Sequence, residues 1–414
     1  MSARPRDGFG LRAAFVALLL ATTVGQRFGL NFGSYSLNAA LPAMYGLLAV
    51  GVLAGALVIS GRRLLAYGAC VGLGLLATAL NGAQASVPSL LLMIVMYLPF
   101  VFAFTGGAFG AEQRDFVSHA FSSVCLFCAA AGILQFYAQF MASPAWLFDF
   151  TPELPVWLRG PSGFNTVIAV GSFHKSNGFF FHEPSDFSFL MAIAWLVEWT
   201  SARRFWRLAT YALALLLTYS GTGLFTLAVG LLFPLRPRTM LRALLFALVG
   251  ACVFLLLGDA LDLSFTLARF GEFGSERSSA YIRYVAPLRL IHDTFDAASL
   301  TAWFGHGPGT IAFAKPGYEF HDPTWAKLAY EYGAAGFVGF VTLAWLALRR
   351  SDVPAETRAA LFLSWLLMGG YLLSPEHNYL ALALVTFVPL GLAGARASFA
   401  AAPDMVAPLL PEVS

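Results

Sequence analysis

The sequence predicts an all-α fold: a polytopic transmembrane helix bundle of about twelve spans, with two long hydrophilic loops that contain short helices. Three observations predict it. The 414 residues are 58% hydrophobic and only 11% charged, too little polar surface to cover a water-soluble globule of this size. Apolar stretches near the roughly 20 residues needed to cross a ~30 Å hydrocarbon core recur along the chain. Arginines cluster in alternate turns between those stretches, as they do when basic residues resist translocation.

Taken in order, the predicted spans are Leu11 to Val24, Leu41 to Ile59, Leu64 to Leu80, Leu90 to Gly110 and Phe116 to Phe140. They continue with Pro184 to Thr200, Leu208 to Tyr219, Leu224 to Leu235, Leu241 to Gly258, Trp325 to Leu348, Ala359 to Leu373 and Tyr379 to Gly394. Leu11 to Val24 lacks a clear small-residue cleavage site and reads as a true span rather than a secretion signal. Gly46, Gly51, Gly55, Gly68, Gly72 and Gly74 recur near helical spacing, which lets backbones approach in lipid. The whole of 1–414 reads as one membrane domain, interrupted by loops at 141–183 and 259–322.

With both termini inside, the inner turns hold Arg62 and Arg63, Arg203, Arg204 and Arg207, and Arg349 and Arg350. The short outer turns around Ser86, Gly221 and Glu376 carry no Lys or Arg. The net charge of +3 therefore reports topology, and no nucleic-acid partner is implied. Cys70, Cys125, Cys128 and Cys252 all fall in apolar spans, so neither a disulfide framework nor a redox CxxC is expected.

Polar chemistry gathers on the two long outer loops. The first holds Arg159 and ends in FFFHEPSDFSFL, where Pro184 suits a first helical turn and Glu183 and Asp186 sit at its positive end. Glu183 reads either as part of a helix start or, beside His182, as a carboxylate aimed into a cavity. Ser220 lies in a tight YSGT turn that explains itself as a turn and also offers hydroxyls to a phosphate or sugar.

The second loop carries ERSSAYIRYVAPLRLIHDTFD, read as two short helical runs broken before Pro287. Arg289 has Asp293 at i+4 and Arg283 has Glu276 at i−7 as structural partners, while Arg277 and Arg283 would need the bend to converge on a ligand. The glycine-rich turn WFGHGPGT lacks the lysine and preceding strand of a phosphate loop, so His306 reads as a turn residue or a ligand. His321 opens the next span, with Glu331 ten residues on inside it, and reads as a hydrogen-bonded interfacial histidine or as a base.

Mid-span charges, the mark of a transport pathway, are scarce, and metal-ligand spacings such as HExxH or DxD are absent, so neither metal nor other cofactor is expected. Arginines grip a diphosphate bidentately and stay charged, and an imidazole near neutrality can take a proton from a sugar hydroxyl. At a lipid boundary these parts suit glycosyl transfer from a lipid diphosphate, with arginines carrying the charge that grows on the departing group.

FFFHEPSDFSFLMAIA, YSGTGLFTLAVGL, RSSAYIRYVAPLRLI followed by WFGHGPGT, and HDPTWAKLAYEYGAAGFVG occur in an order that resembles the O-antigen polymerase (Wzy) and O-antigen ligase (WaaL) superfamily over Phe179 to Gly339. The resemblance implies a bacterial inner-membrane enzyme with both long loops periplasmic and both termini cytoplasmic. It would act on undecaprenyl-diphosphate-linked glycan by inverting, metal-independent transfer, beside a flippase and a chain-length regulator. It implies that Arg283, with Arg277 and Arg289, contacts the diphosphate, and that His321 with Glu183 serves the acceptor. Arg159, His182, Ser220, His306 and Glu331 would be further glycan or phosphate contacts. The chain departs from the pattern in two places. The asparagine usual after the histidine is Asp322 here, and no glycine follows Arg159 at the spacing quoted for polymerases, Gly171 falling one residue late. The acidic FHEPS start favours polymerisation over the alternatives, a ligase or oligosaccharide transferase acting on lipid A-core or protein, and, from another class, a lipid-linked glycan transporter.

Overall fold

A computed structural model describes residues 8–32, 36–104, 111–142, 144–233, 235–237, 240–241, 244–245, 247–250, 252, 276, 278, 281–296, 298–349 and 353–386. Its helices are α1 (Gly8–Thr22), α2 (Ala40–Leu53), α3 (Gly61–Asn81), α4 (Val87–Tyr97), α5 (Ala111–Ala138), α6 (Pro184–Thr200), α7 (Phe205–Leu216) and α8 (Gly221–Leu232). They continue with α9 (Ala286–Thr294), α10 (Leu300–Phe304), α11 (Thr324–Leu348), α12 (Ala355–Leu367) and α13 (Pro375–Thr386). Helix therefore stands at the predicted spans that fall on described residues. Much of the span predicted over Leu241 to Gly258, the first part of the second long loop and the end of the last span lie outside them. Among the described residues, the stretches Gly61–Gln84, Asp115–Ala138 and Thr324–Leu348 are long and apolar enough to cross a bilayer unaided.

Three predicted spans are shorter as helices than expected: α12 stops at Leu367, where Met368 is extended and Gly370 takes φ +77°, and the other two end in a strand pair. α2 stops at Leu53, because Gly55 takes φ +62° and Leu57–Ile59 then pairs antiparallel with Phe102–Phe104. The same pairing ends the span that begins at α4, after Pro99 has turned the chain into a 3₁₀ segment. The glycine series is likewise divided. Gly51 faces Leu57 and Gly74 faces Leu90 and Met93, whereas Gly46, Gly68 and Gly72 face open space and contribute nothing to packing inside the chain.

α6 is the central post. Phe187 to Leu196 is buried without interruption, and α7 and α8 pack along it. α3 and α13 flank α11, α1 packs on α2 and α13, and α12 leans on α8. A single apolar cluster runs through these helices, as expected where an all-round hydrophobic helix is buried in a bundle. Cys125 and Cys128 lie in it as small buried residues. α11 is broken once, at Gly333 (φ +66°, ψ −172°), where the backbone of Trp303 and Phe304 comes so close that a Cβ would collide with it.

Loops from distant parts of the chain meet at one end of the bundle. Arg27, just past α1, joins Asp149 and Phe181 of the first long loop; Asn38 reaches Glu376 at the start of α13; and His321 hydrogen-bonds Ile282 across the second loop. The Gly305–Thr310 turn docks on the α3–α4 turn, with Ser86 N–H donating to Pro308 O (2.8 Å) and Asn81 Nδ2 to Gly305 O (3.0 Å). Arg27 stands apart from the arginines that mark the charge alternation. It is a buried structural cation, packed between the beginning and the end of the first long loop.

Candidate functional site

Glu183 immediately precedes α6 in extended conformation (φ −135°, ψ 156°), the geometry that Pro184 at the first helical position requires. Its carboxylate caps no helical N–H. Oε1 accepts the Asn165 N–H at 3.0 Å and Oε2 the Ser185 hydroxyl at 2.9 Å, so the side chain is held across the mouth of the first loop.

Arg283 lies in a π-helical turn, Tyr281–Val285, that runs directly into α9. The expected break before Pro287 is instead a change of helical register. Proline has no N–H to give, so the carbonyl five residues back, that of Ile282, is released from the π pattern. It accepts the His321 N–H at 3.0 Å. The missing hydrogen bond of a proline thus ties the arginine-bearing turn to the histidine. A further correction concerns Glu276, which pairs with Arg289 (3.8 Å) rather than Arg283. Among the described residues no carboxylate is in ion-pair contact with Arg283.

His321 is clamped from the other side by the turn after α12. Pro323 bridges to Gly369, Thr324 N–H donates to Met368 O (3.3 Å) and Gly370 N–H to Asp322 O (3.4 Å). Its ring stands at the rim of the site. Partial burial and then the Arg283 charge lower its pKa, while Asp322, Glu183 and Glu319 pull the other way. Three chain segments therefore bring a guanidinium, an imidazole and a carboxylate into one electrostatic neighbourhood.

Next to it lies a connected group of polar residues. Glu376, 6% exposed, accepts from Asn38 Nδ2 and from the Ser374 hydroxyl (2.7 Å), and stands 3.7 Å from His182 Nε2. Burial lowers the His182 pKa despite Glu376, Asp186 and Glu183, so the contact is a neutral imidazole beside a carboxylate rather than an ion pair. His182 stacks on Phe164 at 4.1 Å. Ser374 gives its hydrogen to Glu376 and so accepts from His377 Nδ1 (2.6 Å), leaving His377 Nε2 toward Asp186 Oδ1 (3.4 Å). Arg27, 1% exposed, supports the same entrance: it donates to Phe181 O (3.1 and 2.8 Å), Phe148 O (2.7 Å) and Asp149 Oδ1 (3.0 Å). Burial drops its pKa to about 10, against the pull of Asp149, so it remains charged at neutral pH.

The other sequence candidates lie elsewhere. Arg159 spends its guanidinium on Leu154 O (2.9 Å) and Pro152 O (2.8 Å) in its own loop. Ser220 caps α8 by accepting the Thr222 N–H. His306 stacks on Tyr330 at 4.4 Å. Glu331, 1% exposed, faces Lys327 (3.7 Å) and accepts the Ile311 N–H (3.4 Å), which fastens the glycine-rich turn to α11. Arg289 is half-exposed between Glu276 and Asp293 and lies over the Tyr318 ring. Arg277 lies outside the described residues.

Sequence reasoning did not name Arg27, Asn38, Asp186, Glu376, His377 or Tyr371 as site residues, although it put Asp186 at the start of α6 and the Glu376–His377 turn on the same side as the long loops. A signal existed for two of them, since the SPEHN turn places Glu376 and His377 together at a helix start. Arg27 and Asn38 gave none beyond being polar in the turn after the first span.

No curated protein matches the chain. A family model described as WcaD colanic acid polymerase matches residues 13–388. The chain belongs to that family, and so is a membrane polymerase of the Wzy type that joins lipid-linked repeat units into polysaccharide.

Proposed function

We propose that the polymerisation proceeds on the periplasmic face of a bacterial inner membrane, with Arg283 holding the diphosphate of an undecaprenyl-linked glycan and His321 as the base. The acceptor sugar hydroxyl attacks the anomeric carbon of the donor. The C–O bond to the diphosphate breaks, its electron pair stays on the diphosphate oxygen beside Arg283, and the hydroxyl proton passes to the His321 imidazole and then to solvent. Inversion follows from a single displacement, and the guanidinium carries the load a metal would otherwise carry. The observation that supports this reading is the meeting of Arg283, His321 and Glu183 from three segments. A lowered pKa keeps the imidazole neutral and ready to accept a proton, and Glu183, Asp322 and Glu319 stabilise the imidazolium once it forms.

Arg283→Ala and His321→Ala, each expressed in place of the native gene, should insert in the membrane and fail to elongate. Polysaccharide gels would then show single repeat units on the acceptor. A bare acceptor would point instead to a ligase, and normal chain lengths in both variants would refute the assignment.

A further inference from the structure

Tyr371 opens the turn between α12 and α13 with its side chain almost wholly inside the protein, at 5% exposure. Its ring is fixed on two sides, stacked on His377 at 3.6 Å with 22° between planes and edge-on to Phe189 at 5.5 Å. Its hydroxyl has no hydrogen-bond partner among the described residues. A buried donor left in that state costs free energy unless something else takes the bond. The charged groups that act on it are Asp186, Arg283 and Glu183, the last two already assigned to the site.

Asp186 shares the same imidazole: its Oδ1 faces His377 Nε2 at 3.4 Å, while Oδ2 takes no hydrogen bond among the described residues. Glu183 stands beside them with each oxygen holding one donor and a further lone pair open. A phosphate oxygen is a poor guest between two carboxylates, since like charges repel. A sugar hydroxyl is a good one, because it can accept from a phenol and donate to a carboxylate at once.

We infer that the Tyr371 hydroxyl and the free oxygen of Asp186 form a donor and acceptor pair that binds a sugar diol, next to the diphosphate position at Arg283. The sugar subsite rests on the assignment of Arg283 to the diphosphate. His377, held by Ser374, then stacks on the phenol ring and keeps it in place.

The test uses the full-length protein in nanodiscs, elongating lipid-linked repeat units isolated from its own host. Two soluble competitors separate the subsites: the free repeat-unit oligosaccharide, which has no diphosphate, and inorganic pyrophosphate, which has no sugar. Tyr371→Phe keeps the stacking and deletes only the hydroxyl. It should raise the half-inhibitory oligosaccharide concentration roughly 10- to 100-fold, the worth of one or two polar contacts, with pyrophosphate inhibition changed by less than about twofold. Its melting midpoint should match or exceed that of the wild type, because an unpartnered buried hydroxyl has been removed. Asp186→Asn should weaken the oligosaccharide in the same selective way. Arg283→Ala, which does not elongate, is read instead by equilibrium binding of the same two probes, and should weaken pyrophosphate and spare the oligosaccharide.

The inference is overturned if Tyr371→Phe leaves oligosaccharide inhibition at the wild-type level, if the oligosaccharide does not inhibit the wild type, or if the variant weakens both competitors and melts earlier. Unchanged pyrophosphate binding in Arg283→Ala defeats the diphosphate reading alone, and the Tyr371 result still decides the sugar subsite.

Discussion

Replacing Arg27 by alanine tests whether the entrance to the site is held from the turn after α1. The guanidinium makes two hydrogen bonds to Phe181 O, one to Phe148 O and one to Asp149, and lies over the Phe150 ring at 5.0 Å. The losses are unequal. Phe148 O keeps Asn177 Nδ2 at 2.8 Å, and Asp149, 32% exposed, regains water, so these two contribute little. Phe181 O loses both of its arginine donors in a residue only 1% exposed, which costs about 1–3 kcal/mol for an unsatisfied buried carbonyl. The vacated volume and the lost cation–π contact add about 1–2 kcal/mol, for a total of about 2–5 kcal/mol. Arg27→Lys retains the charge but not the fork and should lose about half of that. Because Phe181 is two residues before Glu183, the alanine variant should also lose most of its long polysaccharide. Thermal melts of detergent-purified protein, read beside polysaccharide gels, measure both effects. A wild-type midpoint with full chain length in Arg27→Ala would refute the claim that this arginine holds the loop.

Asp322 raises the His321 pKa, so Asp322→Asn should lower it and move the acid limb of the pH–rate profile to lower pH; a limb that stays put or moves up contradicts the electrostatic account. Among the charged groups acting on that ring, Arg283 pulls the same way as the substitution and Glu183 and Glu319 oppose it. His182 has a folded pKa below its ordinary value of 6.5. The unfolded chain therefore binds the proton more readily, and stability should fall as pH drops below about 6.5 toward the folded pKa. His182→Phe should flatten that slope, and melts at a series of pH values would show it. Gly333→Ala should cost about 2–5 kcal/mol, combining a backbone conformation reserved for glycine with a collision against the Trp303 and Phe304 backbone, and an unchanged melting midpoint would count against the kink.

How far the sequence could be read depended on the range of the interaction involved. Local signals located α6 to the residue: Pro184 marks its start and the apolar run that follows gives its length. The same signal overran α2 and α4, where pairing between Leu57–Ile59 and Phe102–Phe104 replaces helix. That pairing joins residues far apart in sequence, and periodicity within a span carries no trace of it. Motif order picked out His321, Arg283 and Glu183, but could not say that Glu276 would choose Arg289 or that His306 would settle on Tyr330.

By itself the sequence determined a helical membrane protein, since composition and run length set how much surface lipid must cover. Only the tertiary structure decided which polar groups meet: the Ile282 carbonyl freed by Pro287 that receives His321, the buried Arg27 beneath the entrance, and the unpartnered Tyr371 beside Asp186. Each depends on segments tens to hundreds of residues apart, brought together by helix packing, and such contacts are settled by the bundle as a whole.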